Sequence, residues 1–151
     1  MKLEIGQVLS NQDVSRLFDV CAQRGIRYSG SLQTGIRHVV LITVLHKTSE
    51  DLTRIPYEDR KVGECLLYTG EGRYGNQKMS RGNLVLKQQM EKGYPIYVFE
   101  RKSPGRYAFL GEYEVVSWWD EFQSDSQGMK RRVFMFELAR KREGCSGKVN
   151  K

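Results

Sequence analysis

The sequence predicts one α+β domain: a strongly bent antiparallel sheet, rolled toward a small barrel, with two helices packed on it. Three observations lead there. Apolar runs rich in β-branched and aromatic residues recur, separated by short turns bearing Gly and Pro. Two segments show helical spacing with start and stop signals. The chain has 151 residues, 39% hydrophobic and 28% charged, which suits a single core in an ordinary globular protein.

The first helix is read in "LSNQDVSRLFDVCAQRG". Ser10 or Asn11 caps it and Asp13 lies in its first turn. Val14, Leu17, Phe18 and Cys21 fall at helical spacing, and Gly25 suits the position after the last turn. "IRHVVLITVL" (36–45) reads as a buried strand. Residues 46–64 are polar, with Pro56 and Gly63, and read as a long loop. "CLLYT" (65–69) is a short strand. Asn83 is positioned to cap a second helix, "LVLKQQMEK", ended by Gly93. Three strands follow: "YPIYVFE" (94–100), "RYAFLGEYEVVSWW" (106–119) and "RRVFMFELAR" (131–140). In the last, Val133 and Met135 alternate with Phe134, Phe136 and Leu138, so both faces are expected to be covered.

Charge is unevenly spread. Of the net +7, residues 130–151 contribute +6, from eight Lys or Arg against Glu137 and Glu143. Such a segment is either a solvated tail or a nucleic-acid contact, since phosphate neutralisation favours clustered Lys and Arg. The expected division is one domain over residues 1–140 and a basic, flexible tail over 141–151. No apolar run reaches the ~20 residues of a membrane span, and Met1-Lys2-Leu3-Glu4 opens no signal peptide. Cys21, Cys65 and Cys145 have neither zinc nor disulfide spacing. A reducing, cytoplasmic setting is expected.

Catalytic patterns are sparse. His38 and His46 are the two histidines, and neither stands in a nucleophile or metal pattern. Glu100-Arg101-Lys102 has the E-x-K form of a metal-dependent nuclease, but no acidic partner stands on a preceding strand. "GEGRYG" lacks the Lys-Ser/Thr of a phosphate-binding loop. No metal, cofactor or catalytic residue is assigned, and a nuclease built on Glu100 and Lys102 is the enzymatic alternative.

The segment "IPYEDRKVGECLLYTGEG" carries more. Tyr57 and Asp59 end the long loop, while Tyr68 and Thr69 end a strand. Brought together, two rings flank a flat ligand and a carboxylate accepts from its edge. That is the chemistry of an extruded cytosine, whose exocyclic amine needs an acceptor. Gly70 and Gly72 would let backbone N–H groups reach the base. A stacked base contributes ~1–3 kcal/mol, comparable to the cost of unstacking it.

"YTGEGRYGNQKMSRGNLVL" (68–86) resembles the signature of the SRA (SET- and RING-associated) domains, with a Tyr-Thr-Gly-x-Gly turn, an Asp-Gln pair and an Arg-Gly-Asn helix start. It is similar above all to the SRA-like domains of bacterial modification-dependent restriction endonucleases, through Gly25-Ile26-Arg27, Gly75-Asn76-Gln77, Tyr107 to Val115 and Arg131 to Leu138.

The resemblance implies an SRA-like, PUA-related β-barrel that binds 5-methylcytosine, and possibly 5-hydroxymethylcytosine, flipped out of duplex DNA. Its pocket would comprise Tyr57, Asp59, Tyr68, Thr69 and Gly70, although Tyr57 is displaced by one position from the family spacing. Tyr28, Ser29, Leu32 and Gln33 would lie on a loop entering the groove. Arg60, Lys61, Arg73, Lys78 and Arg81 would contact the DNA backbone. A nuclease domain or subunit would be the partner, in a prokaryotic cell. Asn76-Gln77 replaces the family's Asp-Gln and is read as a capping or buttressing pair. Only Arg73-Tyr74-Gly75 stands where eukaryotic members carry a long finger, so strict reading of CpG context is not expected. Asp59 would serve an adenine amine equally, so a reader of 6-methyladenine or of RNA is the alternative within binding.

Overall fold

The computed structural model describes residues 3–45, 59–125 and 127–141. In chain order these form β1 (Val8–Leu9), α1 (Asn11–Phe18), β2 (Ile26–Ser31), β3 (Gly35–Thr43), β4 (Arg60–Val62), β5 (Cys65–Thr69), α2 (Gly82–Lys92), β6 (Ile96–Ser103), β7 (Arg106–Ser124) and β8 (Lys130–Arg140). Among the described residues one eight-stranded sheet runs β2-β3-β6-β7-β8-β5-β4, with β1 added on β7.

β7 explains how one sheet packs in two directions. Its first half, to Tyr113, pairs with β6, and from Tyr113 to Ser124 it pairs with β8. β1 covers its other edge at Tyr107 and Ala108. A bulge between Val115 and Ser117 marks the second half, where a bulged strand bends and twists.

The mixed α+β class holds, and the expected all-antiparallel pairing is corrected. β3 and β6 pair parallel, from Val39 opposite Ile96 to Thr43 opposite Glu100. The connection between them contains β4, β5 and α2, long enough for the crossover that parallel strands need. Among the described residues no ladder joins β2 to β4 to close the sheet.

Both faces of β3 and β6 are buried, which is why their sequences read as continuous apolar runs. Val39, Leu41, Ile96 and Val98 join Val85 and Leu86 of α2 in the larger core. Val40 and Phe99 face Val14 and Phe18 of α1 in the smaller one. On β8, Val133, Met135, Phe136 and Leu138 are all buried, as the alternation anticipates.

Both helices depart from expectation in their caps. Ser10 caps α1 as expected, its Oγ accepting from the Asp13 N–H at 3.0 Å. The helix ends at Phe18, with Asp19 left-handed at φ 55°, rather than at Gly25. Side chains take the carbonyls that follow: Asn11 Nδ2 and Arg27 both donate to Ala22 O, and Ser15 Oγ to Val20 O. That network stabilises an irregular segment against a continued helix. α2 starts at Gly82 behind Arg81, so Asn83 is inside the first turn and does not cap. Gly93 closes it in the left-handed conformation, as expected. The expected loop 46–64 is partly strand, because Arg60–Val62 pairs with Cys65–Leu67.

Candidate functional site

A cavity of about 1000 Å³ opens where β5 ends in the glycine turn, facing the segment after α1 and the start of α2. Asp59, Tyr68, Thr69 and Gly70 all line it. Tyr57 lies outside the described residues.

Asp59 is held from two strands. Thr43 Oγ1, at the end of β3, donates to its Oδ2 at 2.5 Å. The Thr69 N–H, at the end of β5, donates to its Oδ1 at 2.8 Å. An ionised carboxylate has about four acceptor sites, and these two donors take one on each oxygen. Tyr68 is buried, and its hydroxyl donates to Ile42 O at 3.1 Å. Thr69 is fixed inward, its hydroxyl meeting Met135 Sδ at 3.5 Å.

Three N–H groups at the glycine turn are bonded within the protein: Thr69 to Asp59, Gly70 to Phe134 O at 2.7 Å, and Glu71 to Asn83 Oδ1 at 2.7 Å. A Cβ on Gly70 would stand 2.6 Å from Asn83 Oδ1 and 2.8 Å from Gln77 Oε1. The protein's own side chains leave no room for a Cβ there.

Those side chains form a brace. Gln77 Nε2 donates to Gly70 O at 2.6 Å and Gly72 O at 3.2 Å, while its Oε1 accepts from the Phe134 N–H at 2.9 Å. Asn83 Nδ2 donates to Glu71 O and Lys78 O. Glu71 accepts the Gly82 N–H at the start of α2, where a carboxylate is favoured, and Arg24 Nη2 on both oxygens at 2.8 and 2.7 Å. Burial opposes the Arg24 charge, but Glu71 and, to a smaller extent, Tyr28 together more than offset it and hold the guanidinium above its usual value. Asn76 Oδ1 accepts from the Arg132 N–H, so the Asn76-Gln77 pair does buttress β8. Thus "YTGEG" and "RGN" are two halves of one hydrogen-bonded unit. Glu71, Asn83 and Arg24 escaped the sequence reading because spacing does not show which distant side chains meet. The glycines on either side were the available signal.

The other assignments divide. Arg73, Lys78 and Arg81 line the cavity. Arg60 and Lys61 do not. They sit on β4, where Arg60 pairs with Glu121 at 3.5 Å and Lys61 donates to the Tyr113 hydroxyl at 3.2 Å. The segment 27–35 is a β-hairpin rather than a loop, with residues 32–34 as its turn. Ser29 is buried in β2 and accepts from Arg37. Tyr28 and Leu32 lean on the larger core, and Gln33 is exposed at the tip. Glu100 is buried and pairs with Lys102 at 3.4 Å. Among the described residues no group of three His, Cys, Asp or Glu side chains is placed to hold a metal ion.

The fold is that of the SRA domains. It superposes on the SUVH5 SRA domain in complex with fully methylated CG DNA with a TM-score of 0.70 and 24% identity, covering 93% of this chain and 91% of that one. The sulfur-binding and SRA domains of ScoMcrA, complexed with phosphorothioated DNA, match with a TM-score of 0.70 and 16% identity over 93% of this chain and 40% of that one. The type IV phosphorothioation-dependent restriction endonuclease ScoMcrA matches with a TM-score of 0.68 and 17% identity, over 93% of this chain and 28% of that one. This chain therefore spans less than half of the ScoMcrA chains it matches. A family model described as "ScoMcrA-like, SRA domain" covers residues 19–143, and the chain belongs to that family. No curated protein matches. Among the described residues no helix is long and apolar enough to cross a membrane.

Proposed function

We propose that this chain binds DNA carrying a 5-modified cytosine, 5-methylcytosine or 5-hydroxymethylcytosine, by receiving the base, turned out of the duplex, in the cavity beside Asp59 and Tyr68. It acts as the targeting module of a modification-dependent restriction system, with the nuclease in another domain or subunit. The observation that carries this reading is the doubly anchored Asp59 carboxylate at the cavity wall. Held by Thr43 and Thr69, it meets the exocyclic amine without reorganising first, which keeps the cost of binding low. Tyr68 supplies ring surface, Tyr57 closes the stack from the other side, and Gly70 completes the wall. Leu32 and Gln33, at the hairpin turn, enter the groove. Arg73, Lys78 and Arg81 contact phosphates.

The reading does not depend on free backbone donors in the glycine turn. Asp59 and the rings discriminate the base, and the brace keeps them in place. Family membership and the modified DNA in the SUVH5 and ScoMcrA complexes support it.

The test is a binding panel at fixed salt, using one duplex with C, 5-methylcytosine, 5-hydroxymethylcytosine or 6-methyladenine at a single position, together with a single-stranded RNA. Selective binding to a 5-modified cytosine is expected. Preference for 6-methyladenine or RNA would move the ligand class, and equal affinity throughout would remove the pocket reading. Mg²⁺-dependent cleavage by this chain, lost in Glu100→Ala, would replace it with the nuclease alternative.

A further inference from the structure

Among the described residues, six cationic side chains line the cavity (Arg24, Arg27, Arg73, Lys78, Arg81 and Arg101) against two carboxylates, Asp59 and Glu71. Both carboxylates are engaged inside the protein, Asp59 by Thr43 and Thr69 and Glu71 by Arg24 and Gly82. Arg24 is taken by Glu71, and the other cations outnumber the remaining carboxylate among the described lining residues.

Arg101 is the distinctive member. It is half-buried on β6, and among the described residues its guanidinium has no hydrogen-bond or ion-pair partner. Its neighbours Glu100 and Lys102 pair with each other. Successive residues of a strand point to opposite faces, so Arg101 is turned away from that pair. Tyr107, directly opposite it on β7, also lines the cavity, as does Arg27. Arg27 is buried among the carbonyls of Ala22 and Arg24 and the Asn11 amide, with no acid among those partners. Arg27's donors are taken by those partners, so the guanidinium of Arg101 is the one whose donors can meet an anion, with the Arg27 charge in the same lining. A planar fork of donors suits a phosphodiester.

We infer that Arg101 holds a backbone phosphate of the bound DNA next to the extruded nucleotide, on the β6 side of the cavity. The contact rests on the DNA-binding reading above and adds an anchor that the sequence pattern conceals inside Glu100-Arg101-Lys102. The catalytic-looking triplet is then a structural pair flanking a binding residue.

The experiment measures fluorescence-anisotropy Kd values for Arg101→Ala, Arg101→Lys and Arg106→Ala against a 5-methylcytosine duplex and its unmodified twin, across a salt series. Arg106 is exposed and lies outside the cavity lining, which makes it the control. A phosphate contact weakens both duplexes by the same factor and lowers the slope of log K against log salt by about one. Arg101→Ala is expected to do this with an unchanged melting temperature. Arg101→Lys should restore the slope, and Arg106→Ala should match wild type. An unchanged slope in Arg101→Ala, or a loss confined to the modified duplex, would overturn the inference. The two ideas fail separately: loss of cytosine selectivity in wild type refutes the pocket reading, while the Arg101 slope is still read on the unmodified duplex.

Discussion

Glu71, Gln77 and Asn83, on the glycine-turn side of the cavity, commit every side-chain polar atom to the protein's own backbone or to Arg24. Lys78, Arg81 and Arg101 line the same cavity with no side-chain hydrogen bond or ion pair among the described residues. One side is organised before a ligand arrives, and the other is left charged for it. The difference separates two kinds of substitution: those that loosen the fold around the pocket, and those that weaken binding while the fold stays intact.

Gln77→Ala should be the most damaging on the braced side. It strands the part-buried Phe134 N–H and the Gly70 carbonyl, while Gly72 O keeps Arg131, and each unsatisfied group costs ~1–3 kcal/mol. Thermal melting should fall by several degrees, and selectivity should fall with it. Gly70→Ala comes next. Its methyl would crowd the Asn83 and Gln77 amides, an overpacking loss of about 1–3 kcal/mol measurable by urea unfolding. Arg24→Ala should cost less, about 1 kcal/mol or below, because the Arg24–Glu71 pair is part-exposed and screened. Asn76→Asp keeps the oxygen that accepts from Arg132 and should stay within about 0.5 kcal/mol of wild type. Lys78→Ala and Arg81→Ala should leave melting unmoved and appear only as weaker, less salt-sensitive DNA binding. A large stability loss in either would break the division between the two sides.

Particular residues show what the sequence discloses and what it withholds. β3, β6 and β8 were legible because buried strands read as long apolar runs. β2 was not, because Arg27 and Ser29 are polar yet buried, bonded respectively to the segment after α1 and to Arg37. α1 was read too long because Leu17 and Cys21 keep helical spacing, although both are exposed. Asn11, Arg27 and Ser15 supply partners to the carbonyls that a longer helix would have bonded itself. The parallel β3–β6 pairing has no local signature, since it joins segments more than fifty residues apart. At the site, Asp59, Tyr68 and Thr69, which the sequence pattern singles out, line one cavity. Thr43, which holds the second oxygen of Asp59, carried no signal, because a threonine at a strand end is common to most sheets.

Asp59→Asn tests the central claim most directly. The amide keeps the size of the carboxylate but offers one accepting oxygen where Thr43 and Thr69 each donate, and its NH₂ opposes the amine of the base. The quantity to measure is the ratio of Kd for unmodified and 5-methylcytosine duplexes at one salt concentration, in wild type and in Asp59→Asn. Hydrogen bonds to a charged acceptor contribute ~1.5–3 kcal/mol, so the wild-type ratio should collapse toward one while weak, salt-sensitive binding persists. A variant that folds and keeps the wild-type ratio would contradict the account.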